Sequence, residues 1–99
     1  MAREIRKSPA AEHDLIEIWL YTAAEWGSEQ ADSYLDAIEA ALERLTQAPA
    51  LGSDQSHIRP GYRRLAAGKH RIYYRVEGNR IDVMRVLHPR MGVPSELEE

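Results

Sequence analysis

A chain of 99 residues with a net charge of -3 and no cysteine has room for one domain, 1–99, and excludes a disulfide framework, thiolate chemistry and zinc–sulfur sites. The charged opening residues exclude a secretory h-region, and the uncharged stretches, residues 18–24 among them, fall far short of the about 20 apolar residues a membrane span requires. A cytoplasmic protein with no membrane partner is therefore expected. Residues 1–50 carry four basic against ten acidic groups, and residues 57–90 nine basic against two acidic. Such a bipolar distribution steers an acidic partner to one side.

Arg3 to Lys7 predicts a short strand, ended by Pro9. Ser8-Pro9 places a capping hydroxyl before a proline at the first helical position, and the spacing of Leu15, Ile18, Trp19, Thr22 and Trp26 predicts a helix reaching Trp26 with these residues on one face. Gly27 is expected to close it in the left-handed conformation, and Ser28 to cap the next helix at once. Two helices so tightly joined fold back as an antiparallel hairpin. The second helix has the cleaner stripe, Ala31, Tyr34, Leu35, Ile38, Ala41, Leu42 and Leu45, with acidic residues opposite. Ala48-Pro49 stops it, and a turn-rich loop runs on to Gly61.

From Tyr62 the period becomes two, predicting strands over Tyr62–Ala67, Lys69–Glu77 and Arg80–His88. Gly78-Asn79 is a two-residue hairpin signal. Counting outward pairs Val76 with Ile81, Arg75 with Asp82, Tyr74 with Val83, Tyr73 with Met84, Ile72 with Arg85 and Arg71 with Val86. Ile72, Tyr74, Val76, Ile81 and Val83 then face the core. Lys69, Arg71, Tyr73 and Arg75, with His88 beyond them, form the other face. The parity weakens over Met84–Leu87, which fits either a bulge or a strand buried on both sides.

Three constellations stand out. On the first helix, Ile16, Leu20 and Ala24 make a second i, i+4, i+8 stripe, with Tyr21 turned in a third direction. It is either a groove for a partner helix or a face buried between the second helix and the sheet. The basic sheet face, with Arg71, Tyr73 and Arg75 at its centre, suits an acidic protein segment or the phosphates and bases of RNA. At the end of the last strand, Arg85, His88, Arg90 and Met91 combine positive charge with an adaptable apolar side chain, a composition favoured at interaction hot spots. The four histidines lack ligand spacing, no phosphate loop or nucleophile elbow occurs, and neither metal nor cofactor is expected.

Several segments together carry a resemblance. Asp14-Leu15-Ile16-Glu17-Ile18-Trp19 with Tyr21, Trp26-Gly27 and Gln30-Ala31 match the helix hairpin of the ParE branch of the RelE/ParE toxin superfamily. Pro49-x-Leu51-Gly52, Arg59-Pro60-Gly61-Tyr62-Arg63, His70-Arg71-Ile72-Tyr73-Tyr74-Arg75 and Arg85-Val86-Leu87-His88-x-Arg90-Met91 are similar to its sheet signature. Where many relatives follow the methionine with aspartate, Gly92 stands here. The resemblance implies an α+β fold: an N-terminal strand and an antiparallel helix hairpin packed on a C-terminal antiparallel meander sheet, with residues 91–99 as a flexible acidic tail.

It also implies the toxin of a type II toxin–antitoxin pair, a binding protein with no catalytic residues. Its partners would be a ParD-like antitoxin and DNA gyrase, with operator DNA reached only through the antitoxin. On that reading Ile16, Leu20, Tyr21, Ala24, Arg71, Tyr73 and Arg75 bind antitoxin, while Arg85, His88, Arg90 and Met91 contact the target. The superfamily's other branch cleaves mRNA on the ribosome with basic groups and a C-terminal Tyr or His. His88 stands near that place, but Tyr74 is the last tyrosine in this chain.

Overall fold

The computed structural model describes residues 3–91, the last of these by its backbone alone. In chain order the elements are β1 (Glu4–Lys7), α1 (Pro9–Trp26), α2 (Ser28–Gln47), β2 (Ser53–Asp54), β3 (Tyr62–Ala67), β4 (His70–Glu77), β5 (Arg80–Leu87) and a 3-10 turn at Pro89–Met91. One five-stranded sheet runs β1-β5-β4-β3-β2. The expected meander is its centre, β1 joins it in parallel beside β5, and two residues of the expected loop add an outer strand, β2. Lys69 and His88, read as strand residues, lie just outside β4 and β5.

Both meander connections are two-residue turns that open on a glycine of positive φ, Gly68 at 60° and Gly78 at 56°, followed by a residue of ordinary φ. That pattern suits the right-handed twist of paired strands. At Gly68 a side chain has no room in any case, because a Cβ there would lie 2.7 Å from the Tyr34 ring.

α1 begins as the Ser8-Pro9 pair predicts, with the Ser8 hydroxyl accepting from the Ala11 N–H at 3.0 Å. The joint to α2 differs from expectation. Gly27 alone forms it, at φ 94° and ψ 162°, outside the left-handed helical region. Ser28 is already inside α2, which has no side-chain cap. With one linking residue, Gly27 both ends α1 and accepts from the Ala31 N–H of α2. The Trp19 indole N–H then ties the hairpin through Asp32 at 2.8 Å.

The main core lies between the hairpin and one sheet face, where Leu15 and Ile18 of α1 and Ile38, Leu42 and Leu45 of α2 meet Ile72, Tyr74, Ile81 and Val83. Each such side chain, fully buried, contributes roughly 1.5–3 kcal/mol. α1 buries one face only, Ala11, Asp14, Leu15 and Ile18 at i, i+3, i+4 and i+7. Trp26, expected on that face, is 73% exposed.

The register follows the predicted count as far as Tyr74↔Val83 and then slips by one. Tyr73 pairs with Arg85, Ile72 with Val86 and Arg71 with Leu87. This bulge overturns the expected pairings of Tyr73 with Met84, Ile72 with Arg85 and Arg71 with Val86. It also resolves the parity of Met84–Leu87, since Val86 turns into the main core and Leu87 into a second cluster behind the sheet. Bulges leave ladder groups unpaired, and β1 ends at Lys7↔Val83, before the slip. Two residues close the open edge. Ser8 donates its hydroxyl to the Met84 carbonyl at 2.8 Å, and Asp14 accepts the Val86 N–H at 2.9 Å.

Candidate functional site

The outer face of α1 is the largest departure of this surface from what a small soluble domain needs. Ile16 is 57% exposed, Leu20 52% and Tyr21 69%, and Ala24 is exposed beside them. The helix therefore lies against α2 and β5 with one stripe and leaves the other uncovered, which excludes the alternative of a face buried between α2 and the sheet. Contiguous apolar surface of this kind marks an interaction site.

The reverse face of the sheet is not the open basic platform expected. Tyr73 is 3% exposed and packs with Tyr62 and Leu87, against Ile58 and Met84. Ile58 comes from the segment between α2 and β3, which folds back and supplies this second core. The segment is pinned by the Arg63 guanidinium, which donates to the Gly52 carbonyl at 3.0 Å and the Ala50 carbonyl at 3.2 Å. It is pinned again by the Tyr74 hydroxyl, which accepts from the Gly52 N–H at 2.9 Å and donates to the Pro49 carbonyl at 2.7 Å. Asp54 holds its turn by accepting from Ser56, and these bonds keep its carboxyl below the ordinary range. A buried Tyr73 has no face to offer a base.

The arginines of that face are largely committed. Arg75 lies opposite Asp82 as the register predicts, but at 3.9 Å, with Glu77 at 3.5 Å. The tight partner of Asp82 is Arg80, at 2.6 and 3.1 Å, and this pair holds the Asp82 carboxyl below its usual value. Arg71 is half-buried.

The residues expected at the target surface divide. Arg85, the first paired residue after the bulge at Met84, reaches α1 and makes a two-pronged bond to Asp14, at 2.8 and 3.0 Å. Its guanidinium is thus part of the scaffold. His88 and Arg90 remain at the surface, the Arg90 N–H donating to His88 Nδ1 at 3.1 Å. The Met91 side chain and Gly92 lie outside the described residues.

Sequence reasoning missed His70. The one-residue slip brings the His70 and His88 rings into an edge-to-face contact, centroids 5.4 Å apart. An unslipped register pairs His70 with Leu87, so a bulge placed at the doubtful parity of Met84–Leu87 was the signal that would have found the pair. Tyr34 of α2 holds His70 from behind, its hydroxyl 2.6 Å from Nδ1 while accepting the Lys69 N–H at 2.8 Å. Burial first, and then the neighbouring His88, push the His70 imidazole below its ordinary value. The two rings open on a cavity of about 620 Å³ between α1 and the end of β5. Among the described residues no group of three His, Cys, Asp or Glu side chains is placed to hold a metal. No described helix is long and apolar enough to cross a membrane.

The helix hairpin packed on a five-stranded sheet is an α+β fold shared with solved toxin–antitoxin structures. The chain superposes on a solved structure titled "Chromosomal ParDE TA system from P. aeruginosa" with a TM-score of 0.76 and 22% identity, covering 88% of this chain and 96% of the other. It superposes on a toxin–antitoxin complex, RelBE2 from Mycobacterium tuberculosis, with a TM-score of 0.65 and 20% identity, covering 89% and 99% of the two chains. Sequence similarity narrows the class. The family described as "ParE toxin of type II toxin-antitoxin system, parDE" matches residues 5–92. Toxin ParE1 of Mycobacterium tuberculosis is 48% identical over 91 residues, covering 91% of this chain and 93% of its own length. Toxin ParE1 of Caulobacter vibrioides is 40% identical over 92 residues, covering 93% and 95%. The chain belongs to the ParE toxin family.

Proposed function

We propose that this protein is the toxin of a ParDE-type pair, held silent by a ParD-like antitoxin that lays an amphipathic segment along the outer face of α1. The uncovered stripe of Ile16, Leu20 and Ala24 with Tyr21 carries this reading. A folded monomer gains nothing by leaving it in water, and a helix laid in a shallow apolar groove is a recurrent mode of recognition. Arg71 and Arg75, on the reverse face of the sheet on either side of the buried Tyr73, would hold a second, acidic stretch of the same antitoxin by charge. Operator DNA is reached through the antitoxin, and the cytoplasm is the site of action.

The proposed target is DNA gyrase, contacted by the end of β5 and the turn after it, through His88, Arg90 and Met91, with Arg85 positioning that segment from α1. The action is binding, not catalysis. Family membership supports the target, and the buried Tyr73 argues against a nuclease that stacks RNA on the sheet. The decisive measurement sets supercoiling by purified gyrase beside cleavage of ribosome-bound message. Loss of supercoiling with intact message supports the proposal, whereas site-specific cleavage with unchanged supercoiling assigns the protein to the ribonuclease branch.

A further inference from the structure

The cavity between α1 and the end of β5 shares Arg85, His88 and Arg90 with the proposed target contact and adds groups which that contact does not use. Its inner wall is the His70–His88 pair, with Tyr34 of α2 behind His70. Arg85 enters from β5 already bonded to Asp14 of α1, and Arg90 closes the end beyond β5. Ile18 and Val86 give it an apolar lining. The remaining titratable groups come from α1, where His13, Glu17 and Tyr21 line the outer lip. They stand at i, i+4 and i+8, the helical row next to Ile16 and Leu20. The cavity is therefore continuous with the apolar stripe.

The charges inside are arranged for a small anion. Arg85 is neutralised by Asp14, so the positive charge available comes from Arg90 and from whichever imidazole is protonated. Burial, and then the His88 ring with its centroid 5.4 Å away, hold His70 against protonation until a negative group enters. His88 accepts from the Arg90 N–H at Nδ1, so its neutral ring carries the proton on Nε2, and a second proton displaces the Arg90 bond and makes the ring a donor at both nitrogens. A carboxylate is the fitting guest, being small enough for an apolar-lined cavity of about 620 Å³. The exposed Ile16 and Leu20 that continue the cavity suit the apolar neighbours of a peptide carboxylate and offer nothing to the charges of a phosphodiester chain.

We propose that this cleft is a proton-linked recognition site for an acidic side chain of a peptide segment lying along α1, an Asp or Glu flanked by apolar residues. The choice of a peptide rests on the protein-binding reading of the α1 stripe, while the site itself requires neither gyrase nor a particular antitoxin. Binding takes up a proton at the His70–His88 pair. Affinity then rises as pH falls, by up to about tenfold per pH unit for one proton taken up.

The test is a titration of the intact protein, followed through the histidine Cε1–H signals. The probes are an acetylated Leu-Glu-Leu-Leu-Glu-Leu peptide, its Gln-for-Glu counterpart, and a six-nucleotide oligoribonucleotide. The expected result is saturable movement of the His70 and His88 signals with the Glu peptide. Affinity should be at least about tenfold tighter at pH 6.0 than at pH 7.5. The Gln peptide and the His88→Gln variant should lose that pH dependence, and His57→Gln, in the distant loop, should keep it. Wild-type protein alone decides the matter if His88→Gln fails to fold, because a pH-independent affinity, or equal binding of the Gln peptide, overturns the proposal. So does preferential binding of the oligoribonucleotide at these histidines, which would make the cleft a nucleic-acid site. A negative gyrase assay removes the target reading and leaves this result standing, so the two fail separately.

Discussion

Replacing Asp14 by alanine tests whether the bulge in β5 is held from α1. Asp14 is 8% exposed and accepts three bonds, two from Arg85 and one from the Val86 N–H. In Asp14→Ala the Arg85 guanidinium, 16% exposed, loses its counter-charge, and the backbone N–H at the open edge of β5 is orphaned. Breaking one side of a buried pair costs about 3–5 kcal/mol. An orphaned buried donor costs about 1–3 kcal/mol, and the two losses overlap because one carboxylate serves both. Taking about 3–5 kcal/mol for the whole, and about 4–8 °C per kcal/mol for a domain of this size, the melting temperature should fall by roughly 15 °C or more. That is a large share of the about 5–15 kcal/mol by which such domains are stable. Circular dichroism melts and urea midpoints read it directly. Asp14→Asn, which keeps an acceptor, should lie between the wild type and Asp14→Ala, and Asp14→Leu with Arg85→Met should recover the part due to the uncompensated charge while leaving the Val86 N–H without its partner. A fall of less than about 4 °C in Asp14→Ala, on the order of 1 kcal/mol or less, would refute the reasoning and mean that water closes this edge equally well.

Three further outcomes are expected. Leu20→Glu, at a position half in water, should leave the melting temperature unchanged and weaken antitoxin binding by about 2–4 kcal/mol in calorimetry; normal binding by the folded variant would remove α1 from the interface. Arg90→Ala with Met91→Ala should fold within about 0.5 kcal/mol of wild type, bind antitoxin and lose growth inhibition; full toxicity would move the effector surface to the Lys69–Arg75 stretch. Because the folded state holds His70 below its ordinary value of 6.5, the unfolded chain takes up that proton first, so stability should decline as pH falls through 6.5 toward the folded value. Urea midpoints at pH 8, 6 and 5 should show this decline, and it should flatten in His70→Gln.

α1, α2 and the last hairpin were legible because each carries its own local signal: Ser8-Pro9 for the start of α1, the seven-residue stripe for α2, and Gly78-Asn79 for the hairpin, whereas β2 lies in a stretch that reads as loop. What was not legible depends on contacts between distant segments. The slip after Tyr74 arises because Ser8 and Asp14 lie where β1 has ended and can satisfy the freed backbone groups of Met84 and Val86. No period within β5 encodes that. Tyr73 alternates correctly as an outward residue and is still buried, since what covers it is a loop whose path no periodicity describes. The α1 stripe was visible as an excess of apolar surface, and only the packing of α1 against α2 and β5 decides that it faces out.

The same bulge links the scaffold to the candidate functional surfaces. By shifting the end of β5 one residue, it turns Arg85 toward Asp14, sends Leu87 to the rear core and sets His88 beside His70. A straight ladder would pair His70 with Leu87, leaving the imidazoles apart and Arg85 on the main core face, where a charge without Asp14 is costly. Asp14 sits on the buried face of α1, whose opposite side carries Ile16 and Leu20. One carboxylate therefore fixes the exposed α1 stripe and the β5 end in relation to each other. A partner segment lying along α1 and reaching the cleft needs that relation held firm, and a rigid groove spares it the cost of ordering the site on binding. Asp14→Asn accordingly should loosen partner binding more than its distance from the exposed stripe suggests, even at temperatures where the variant remains folded.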